Sequence, residues 1–255
     1  MPPADHRLAG RFTSVSLFTG ANVRQAIAEG RAEYMPVFLS DIGPMFRHGV
    51  IRLDAAIVQM SPPDRHGFCT LGTSVDVARA AVEAAPIVIA EINPRVPRTR
   101  GHSAFAYSRL HTCVHTDRPL HEHPAEPETP ITARIGEIIA GLIDDGSCLQ
   151  VGIGGIPDAV LSRLGNKHHL GVHTEMFSDG MIDLIRGGVV TNREKAIHPG
   201  RTTTSFVAGT ERLFEFVDDN PTIEFHGAER TNDTSLIRRN PGVVAVNSAI
   251  EIDLT

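Results

Sequence analysis

Short apolar runs alternate along the chain with longer segments whose apolar residues recur at helical spacing. The runs PIVIAEIN (86–93) and CLQVGIG (148–154) are typical of buried strands. SVDVARAAVEAA (74–85) and ITARIGEIIAGLIDDG (131–146) have the periodicity of amphipathic helices. Strands and helices that alternate in this way predict an α/β fold with a mostly parallel sheet flanked by helices.

The same pattern predicts further elements throughout the chain. Strands are predicted at FTSVSLF (12–18), YMPVFLS (34–40), DAAIVQMS (54–61), GVHTEM (171–176), TSFVAG (204–209), TIEFH (222–226) and VVAVNSAIEIDLT (243–255). Helices are predicted at ANVRQAIAEG (21–30), PDAVLSRLG (157–165) and DGMIDLIRGG (179–188).

A proline-rich segment divides the chain. DRPLHEHPAEPETP (117–130) has four prolines in fourteen residues and almost no apolar side chains, a composition typical of a linker. Thr129 can cap the helix that follows, and Pro130 suits its first position. We therefore predict an N-terminal α/β lobe (1–116), a linker (117–129) and a C-terminal α/β lobe (130–255).

Composition excludes several classes of protein. With 255 residues, 41% apolar and 21% charged, the chain is neither disordered nor fibrous. It has no apolar run of membrane-spanning length, no recognisable signal peptide, and a net charge of −6 without a basic stripe or Trp. Membrane and nucleic acid are therefore not expected partners. Cys69, Cys113 and Cys148 are odd in number and lack metal-type spacing, which favours a reducing cytoplasm.

The strongest local chemical signal is the glycine loop VGIGGIP (151–157), which lies between a predicted strand and a predicted helix. Its glycines permit positive φ and close backbone approach, and its amides could bind a phosphate or stabilise an oxyanion. The loop lacks the last glycine of GxGxxG and the lysine and serine of a Walker motif. The alternative is a tight turn in which glycine serves packing alone.

Glu175 lies near the carboxyl end of the predicted strand GVHTEM, at the edge where α/β sheets bind ligands. A carboxylate beside the glycine loop could act as a nucleophile or a general base. In the alternative interpretation it is a surface carboxylate that caps the helix beginning near Ser178 and Asp179.

Five segments together resemble the acetyl-CoA hydrolase/transferase family. They are SPPDRHGFCTLGTSVD (61–76), INPRVPRTRG (92–101), VGIGGIPDAVL (151–161), LGVHTEMFSDGMIDL (170–184) and VNSAIEIDLT (246–255). They occur in the family's order, and the likeness is greatest to 4-hydroxybutyrate and butyrate:acetate CoA-transferases. The resemblance implies two similar mixed or parallel-sheet lobes of the class I CoA-transferase (NagB/RpiA-like) type, the second lobe incomplete.

The resemblance also implies a reaction and the residues that perform it. Coenzyme A, as a substrate, would pass between an acyl-CoA and a short-chain carboxylate through a glutamyl-CoA thioester on Glu175, with no cofactor bound covalently at rest. Gln150 matches an active-site glutamine of the family, and the amides of Gly154 and Gly155 would stabilise the oxyanion. Contacts with acyl-CoA are expected from Gly152, Ile153, Ile156, Pro157, Arg98 and Thr99.

The partners expected from the resemblance are acyl-CoA, small carboxylates such as acetate or butyrate, and further copies of the chain in a homo-oligomer. The nearest alternative activity is acyl-CoA hydrolysis, because a site that admits water becomes a hydrolase. A non-catalytic ligand-binding module of the same fold is an alternative of another class. Family members carry further segments before and after the region matched here, so we expect a chain that is part of something longer and turns over poorly alone.

Three further patterns carry chemistry with weaker support. His111, His115, His121 and His123 suggest zinc, but they lack a companion cluster, so no metal is expected. Glu251, which alternates with Asp253, is a rival nucleophile or a solvent-facing strand residue. The loop with Asp64, Arg65 and His66 could line the cleft or form a solvated turn, and Arg100 could join Arg98 in contacting phosphates or lie in a solvated loop.

Overall fold

The computed structural model describes residues 5–8, 10–249 and 251–253. Within them the strands are β1 (Ser14–Ser16), β2 (Ala32–Tyr34), β3 (Ala55–Met60), β4 (Phe68–Thr70), β5 (Ile87–Ile92), β6 (Arg100–Gly101), β7 (Ala104–Ala106), β8 (Thr112–His115), β9 (Cys148–Val151), β10 (Gly171–Val172), β11 (Met176–Phe177), β12 (Thr202–Thr204), β13 (Phe206–Val207), β14 (Ile223–Phe225) and β15 (Val243–Val246). The helices are α1 (Ala21–Ala28), α2 (Leu39–Arg47), α3 (Ala78–Ala84), α4 (Pro130–Leu142), α5 (Gly155–Leu161), α6 (Gly180–Arg186), α7 (Glu211–Val217), α8 (Ala228–Thr231) and α9 (Thr234–Ile237), with 3-10 turns at His6–Leu8 and Tyr107–Arg109.

The first half of the chain is built on a parallel sheet in the order β3-β5-β8. Alternate residues of β5, Val88, Ala90 and Ile92, are buried on the face that meets the core. The opposite face exposes Ile57 (78%) and Val114 (60%). Parallel sheets are usually covered on both faces, so this apolar face is unusual for the fold class.

The second half is built on a parallel sheet in the order β10-β9-β15. Helices α4 and α5 pack against each other beside it. The predicted start of α4 is confirmed: Thr129 accepts a hydrogen bond from the Thr132 amide at 3.1 Å, Thr132 accepts one from the Thr129 amide, and Pro130 takes the first helical position.

Backbone pairing joins the two halves. Strand β6 of the first half pairs in parallel with β14 of the second, in a sheet ordered β12-β14-β6. The approach is close at Gly101, which has φ of +91°, and a Cβ there would lie 2.5 Å from the Phe225 carbonyl oxygen. Only glycine satisfies both conditions. The amide of Val75 also donates to the Ser205 carbonyl at 3.0 Å.

The proline-rich segment, residues 117–129, contains no helix or strand and is largely exposed. It is nevertheless tied to both halves. Arg118 binds the Glu91 carboxylate at 2.6 Å, the His123 amide donates to the Gly209 carbonyl at 2.8 Å, and Glu128 pairs with Arg163 at 2.6 Å. The division into two lobes at this segment stays a prediction. Within the described part of the chain, no helix combines the length and the apolar character that crossing a bilayer requires.

Several of the predicted strands are wrong in extent or type, with large differences at residues 34–40 and 243–255. Residues 34–40 do not form a strand: β2 ends at Tyr34 and α2 begins at Leu39, because Pro36 has no N–H to donate and α2 buries Ile42 against the rest of the first half. The last strand ends at Val246 instead of continuing, because its partner β9 ends at Val151. The final two residues and Ile250 lie outside the described residues.

Candidate active site

Glu175 lies where the chain crosses from one sheet to another. The predicted strand over 171–176 is split: β10 pairs with β9, whereas β11 pairs with β13, and Glu175 lies in the gap. Its backbone carbonyl accepts hydrogen bonds from the amides of Ser205 and Phe206, both at 3.0 Å, and from Thr204 Oγ1 at 3.1 Å. These bonds fix the Glu175 backbone, and they leave the carboxylate to be held separately.

The half-buried carboxylate of Glu175 faces the amide of Gln150 on β9. Gln150 Nε2 donates to both carboxylate oxygens at 3.3 and 3.4 Å. Asn247, directly after β15, orients that amide, because its Nδ2 donates to Gln150 Oε1 at 2.9 Å. The long bonds to the carboxylate leave its oxygens with unused acceptor capacity.

The two residues before Glu175 are buried anchors. Thr174 Oγ1 donates to the Val151 carbonyl at 2.9 Å and accepts from the Val151 amide at 3.1 Å. His173 Nε2 donates to the Thr231 carbonyl at 2.8 Å, and burial lowers the pKa of the imidazole to about 4. Glu175 is therefore tied to the end of β9, where the glycine loop begins.

The glycine loop turns directly from β9 into α5, as predicted. Gly154 has φ of +114° and ψ of 178°, a conformation essentially restricted to glycine. The Gly152 amide donates to the Val246 carbonyl at 3.2 Å. Among the described residues, no protein acceptor takes a hydrogen bond from the amides of Gly154 or Gly155. These two donors are available to a ligand.

A small pocket of about 120 Å³ lies beside the glycine loop. It is lined by His123, Pro124, Ala125, Glu126, Ile153, Gly154, Asp158, Ser178, Asp179, Gly180 and Ala208. Burial, reinforced by neighbouring Asp179, raises the pKa of the Asp158 carboxyl. Of the other residues expected to contact acyl-CoA, Ile156 and Pro157 lie within the first turn of α5, and Pro157 is buried.

Arg98 and Thr99 are bound within the first half of the chain. The Arg98 guanidinium donates to the Phe68 carbonyl at 3.1 Å and lies 3.6 Å from Asp64, so it braces the loop that precedes β4. Thr99 is buried, and its hydroxyl donates to the Gly72 carbonyl at 3.0 Å. Neither side chain is hydrogen-bonded to Gln150 or Glu175 within the described residues.

Three other charged residues were candidates from the sequence, namely Asp64, Arg100 and Glu251. Asp64 closes its loop as a turn, accepting bonds from the amides of Phe68 at 3.0 Å and His66 at 2.9 Å, which hold the pKa of its carboxyl below the usual range. Arg100 forms an ion pair with Asp219. Glu251 is exposed and lies outside any strand, so its predicted strand environment is wrong.

A larger cavity of about 440 Å³ lies between the segment after β5 and helix α7. It is lined by Pro94, Arg95, Val96, Pro97, Pro119, Leu120, Glu122, Glu211, Phe214, Glu215 and Asp218. None of the site residues predicted from the sequence lines it.

The sequence analysis missed two sets of residues. Asn247 lies in the quoted segment VNSAIEIDLT, but nothing local shows that its amide meets that of Gln150, 97 residues earlier. The second set is His198, Glu224 and His226, the one trio of metal-ligand side chains that the described residues bring together. The histidines that the sequence suggested, from His111 to His123, are not part of it.

Both ends of the chain match models of one protein family. The family models of the acetyl-CoA hydrolase/transferase N-terminal domain and C-terminal domain match residues 1–118 and 209–255. The chain is 48% identical over 247 residues to the succinyl-CoA:acetate/propanoyl-CoA:succinate CoA transferase of Fasciola hepatica, covering 96% of this chain and 52% of the relative. It is 40% identical over 243 residues to the 4-hydroxybutyrate coenzyme A transferase of Clostridium kluyveri, covering 95% and 57%.

A solved structure shows the same fold. The 4-hydroxybutyrate CoA-transferase of Porphyromonas gingivalis superposes with a TM-score of 0.85 at 36% identity, over 98% of this chain and 65% of that chain. The chain spans about half the length of the curated relatives it matches.

Proposed function

Because this chain belongs to the acetyl-CoA hydrolase/transferase family, we propose that it transfers coenzyme A between an acyl-CoA and a short-chain carboxylate of the acetate, butyrate or 4-hydroxybutyrate type. The observation that carries the proposal is the position of Glu175, whose carboxylate faces the Gln150 amide at the start of the glycine loop. A carboxylate nucleophile beside amide donors suits the transfer of a thiol between a thioester and a carboxylate.

In the proposed reaction the Glu175 carboxylate attacks the thioester carbonyl of the acyl-CoA. The carbon–sulfur bond breaks, which gives an acyl-glutamyl anhydride and the thiolate of coenzyme A. The thiolate then attacks the glutamyl carbonyl and expels the first carboxylate, leaving a glutamyl-CoA thioester. A second carboxylate reverses both steps, so the thioester energy is conserved and the kinetics are ping-pong.

Each attack passes through a tetrahedral oxyanion. The amides of Gly154 and Gly155, which have no protein acceptor within the described residues, are the proposed donors. Loss of one good oxyanion donor costs about 3–4 kcal/mol of transition-state stabilisation in other enzymes. Gly152, Ile153, Ile156 and Pro157 are proposed to contact the acyl-CoA around the loop.

Arg98 and Thr99 are proposed to act at the edge of the same site. Their side chains bind the loop before β4 and the turn at Gly72, so in this structure they stabilise these two segments of the first half. Contact with coenzyme A would compete with the Phe68 and Pro62 carbonyls and the Asp64 carboxylate, which engage the guanidinium.

The setting of the reaction is a further part of the proposal. Cys69, Cys113 and Cys148 are all unpaired, as expected in a reducing cytoplasm. We expect the chain to form a homo-oligomer, because the sheet β3-β5-β8 exposes an apolar face that includes Ile57 and Val114.

Exchange kinetics test the proposed function. The natural polypeptide that contains these residues is assayed for transfer from acetyl-, propionyl-, butyryl- and 4-hydroxybutyryl-CoA to acetate. Glu175→Ala should abolish exchange, and Glu175→Asp should reduce it by about 10²-fold, because withdrawal by one methylene misplaces the attack. Glu137→Gln, which changes an exposed carboxylate on α4, is the matched control. Normal exchange by Glu175→Ala would refute the proposal, and release of free acid without transfer would indicate a hydrolase.

A further inference from the structure

Two histidines and a glutamate converge on the sheet β12-β14-β6. His198 Nδ1 lies 2.6 Å from Glu224 Oε2, and His226 Nε2 lies 3.5 Å from the same oxygen. One ligand atom from each of the three residues lies within 4.8 Å of the other two. The imidazole rings of His198 and His226 are 5.0 Å apart, centroid to centroid.

The backbone of β14 and of the segment before β12 places these side chains together. Glu224 lies in β14 and His226 follows the strand, so the alternation of side chains puts both on one face of the sheet. His198 comes from the segment between β10 and β12 and has φ of +52°, a left-handed conformation that is uncommon for a residue with a side chain. That conformation turns the imidazole toward Glu224.

The cluster has unused ligand capacity in a buried place. Glu224 and His226 are 8% and 9% exposed, and His226 Nδ1 is buried without a hydrogen-bond partner in the described structure. The ring nitrogen that faces Glu224 Oε2 is Nε2, at 3.5 Å, so Nε2 is the nitrogen positioned to bind an ion.

We propose that His198, Glu224 and His226 bind one divalent metal ion of the zinc class. Two imidazole nitrogens and one carboxylate oxygen form a ligand set that zinc accepts, with water in the fourth position. Tetrahedral ligands with bonds of about 2 Å stand about 3.3 Å apart, so a small rotation of the imidazoles completes the site. The ion joins the segment that carries His198 to β14, and water completes its coordination.

Three cationic side chains face the cluster, and their charges determine whether a substitution strengthens or weakens metal binding. Arg201 pairs with Glu224 Oε1, which leaves Oε2 for the ion. Lys195 is buried, and its Nζ donates to the Thr203 hydroxyl at 3.1 Å and to two backbone carbonyls. Arg230 Nη2 donates to His198 Nε2 at 3.2 Å. Since His198 Nε2 must carry a proton when Nδ1 binds the metal, the exposed Arg230 side chain has to move away.

Calorimetric titration with zinc chloride tests the proposal on the purified chain after removal of metals with a chelator. One ion should bind per chain, and binding should be about tenfold weaker or more in His226→Gln and His198→Gln. His121→Gln, in the exposed proline-rich segment, is the matched control and should bind as the parent does. Absence of saturable binding, or binding that survives His226→Gln and is lost in His121→Gln, would overturn the proposal.

A second pair of measurements adds a variant of an exposed side chain and a spectroscopic readout. Arg230→Gln should strengthen zinc binding several-fold, because it removes a charge and a competitor for His198 Nε2. Cobalt(II) bound in place of zinc should give visible absorption bands of a tetrahedral N/O site, absent in Glu224→Gln. Weaker zinc binding by Arg230→Gln, or the spectrum of a fully hydrated cobalt ion, would contradict the proposed ligand set. Far-UV circular dichroism verifies that each variant is folded.

Discussion

At the scale of single residues, Glu175 is held firmly by its backbone and loosely by its side chain. Three donors fix its carbonyl at 3.0–3.1 Å, whereas within the described residues the carboxylate has only the Gln150 amide, at 3.3 and 3.4 Å. A nucleophile benefits from this arrangement, because its position is set while its oxygens are not engaged in short hydrogen bonds.

Gln150→Leu should lower the rate of exchange by about 10²-fold without preventing folding, because the carboxylate loses the amide that orients it. Gln59→Leu is a matched control, since Gln59 Nε2 makes a similar bond to Glu91 at 3.2 Å in the first-half sheet. Initial rates of transfer to acetate measure both. Equal loss in the two variants would show that Gln150 acts through stability alone.

The buried His173 imidazole leads to a prediction of how the free energy of unfolding depends on pH. Its pKa is about 4 in the folded chain against 6.5 for an unperturbed histidine, so the unfolded state binds the proton more tightly. The contribution of the neutral His173 imidazole to the free energy of unfolding is complete above pH 6.5. It is lost as the pH falls toward 4, at about 1.4 kcal/mol per pH unit. Urea unfolding at a series of pH values gives the free energy of unfolding of the parent and of His173→Gln, which retains a donor for Thr231. Over this window the free energy of unfolding should depend more steeply on pH in the parent than in the variant. Parallel curves would contradict the assignment.

The sequence pointed to Glu175 because it lies near the carboxyl end of a predicted strand that follows the glycine loop, and the family resemblance pointed to Gln150. Asn247 and the trio of His198, Glu224 and His226 could not be predicted from the sequence. Their side chains meet through sheet pairing between segments far apart in the chain, and neither periodicity nor local spacing encodes such contacts.

At the scale of elements, predictions succeeded where the local signal and the tertiary structure agree. The helix that begins at Thr129 and Pro130 has a cap, a first-turn proline and an amphipathic pattern, and it forms as predicted. The segment 34–40 has strand-forming residues but also Pro36, and α2 forms in its second part because burial of Ile42 outweighs strand propensity. The strand containing Glu175 is split for a similar reason: its two parts pair with different partners.

The conformation of Gly154 gives a prediction at this scale. Gly154→Ala should destabilise the chain by about 1–3 kcal/mol and slow exchange, because a side chain disfavours φ of +114° even though no atom lies within 4 Å of the added Cβ. Gly155→Ala is the matched control: its Cβ meets only Thr132 at 3.6 Å, within an ordinary helical turn. Urea unfolding and exchange rates of both variants check this. Equal effects would show that the loop does not depend on the Gly154 conformation.

At the scale of the whole molecule, the two halves are joined by more than the proline-rich segment. Strand β6 pairs with β14, and the amides of Val75 and Ala228 donate across the junction at 3.0 Å. Arg47 of α2 forms an ion pair with Glu229 at 2.8 Å. The halves therefore share backbone hydrogen bonds, which a simple picture of two lobes on a flexible linker would lack.

Cleavage of the proline-rich segment tests whether the hydrogen bonds between the two halves hold them together. A protease site inserted after Ala125 and then cut should give two fragments that still elute together in size-exclusion chromatography at neutral pH. The exposed segment can be opened without loss of the β6–β14 pairing. Fragments that separate without denaturant would show that the covalent connection holds the halves together.

The central claim is that Glu175 forms the covalent intermediate, and trapping it is the most direct test. The natural polypeptide that contains these residues is incubated with acyl-CoA, treated with hydroxylamine and digested for mass spectrometry. The peptide with Glu175 should carry the mass of a glutamyl hydroxamate, only when acyl-CoA is present and not in Glu175→Ala. An unmodified Glu175, or modification of Glu251 instead, would contradict the account.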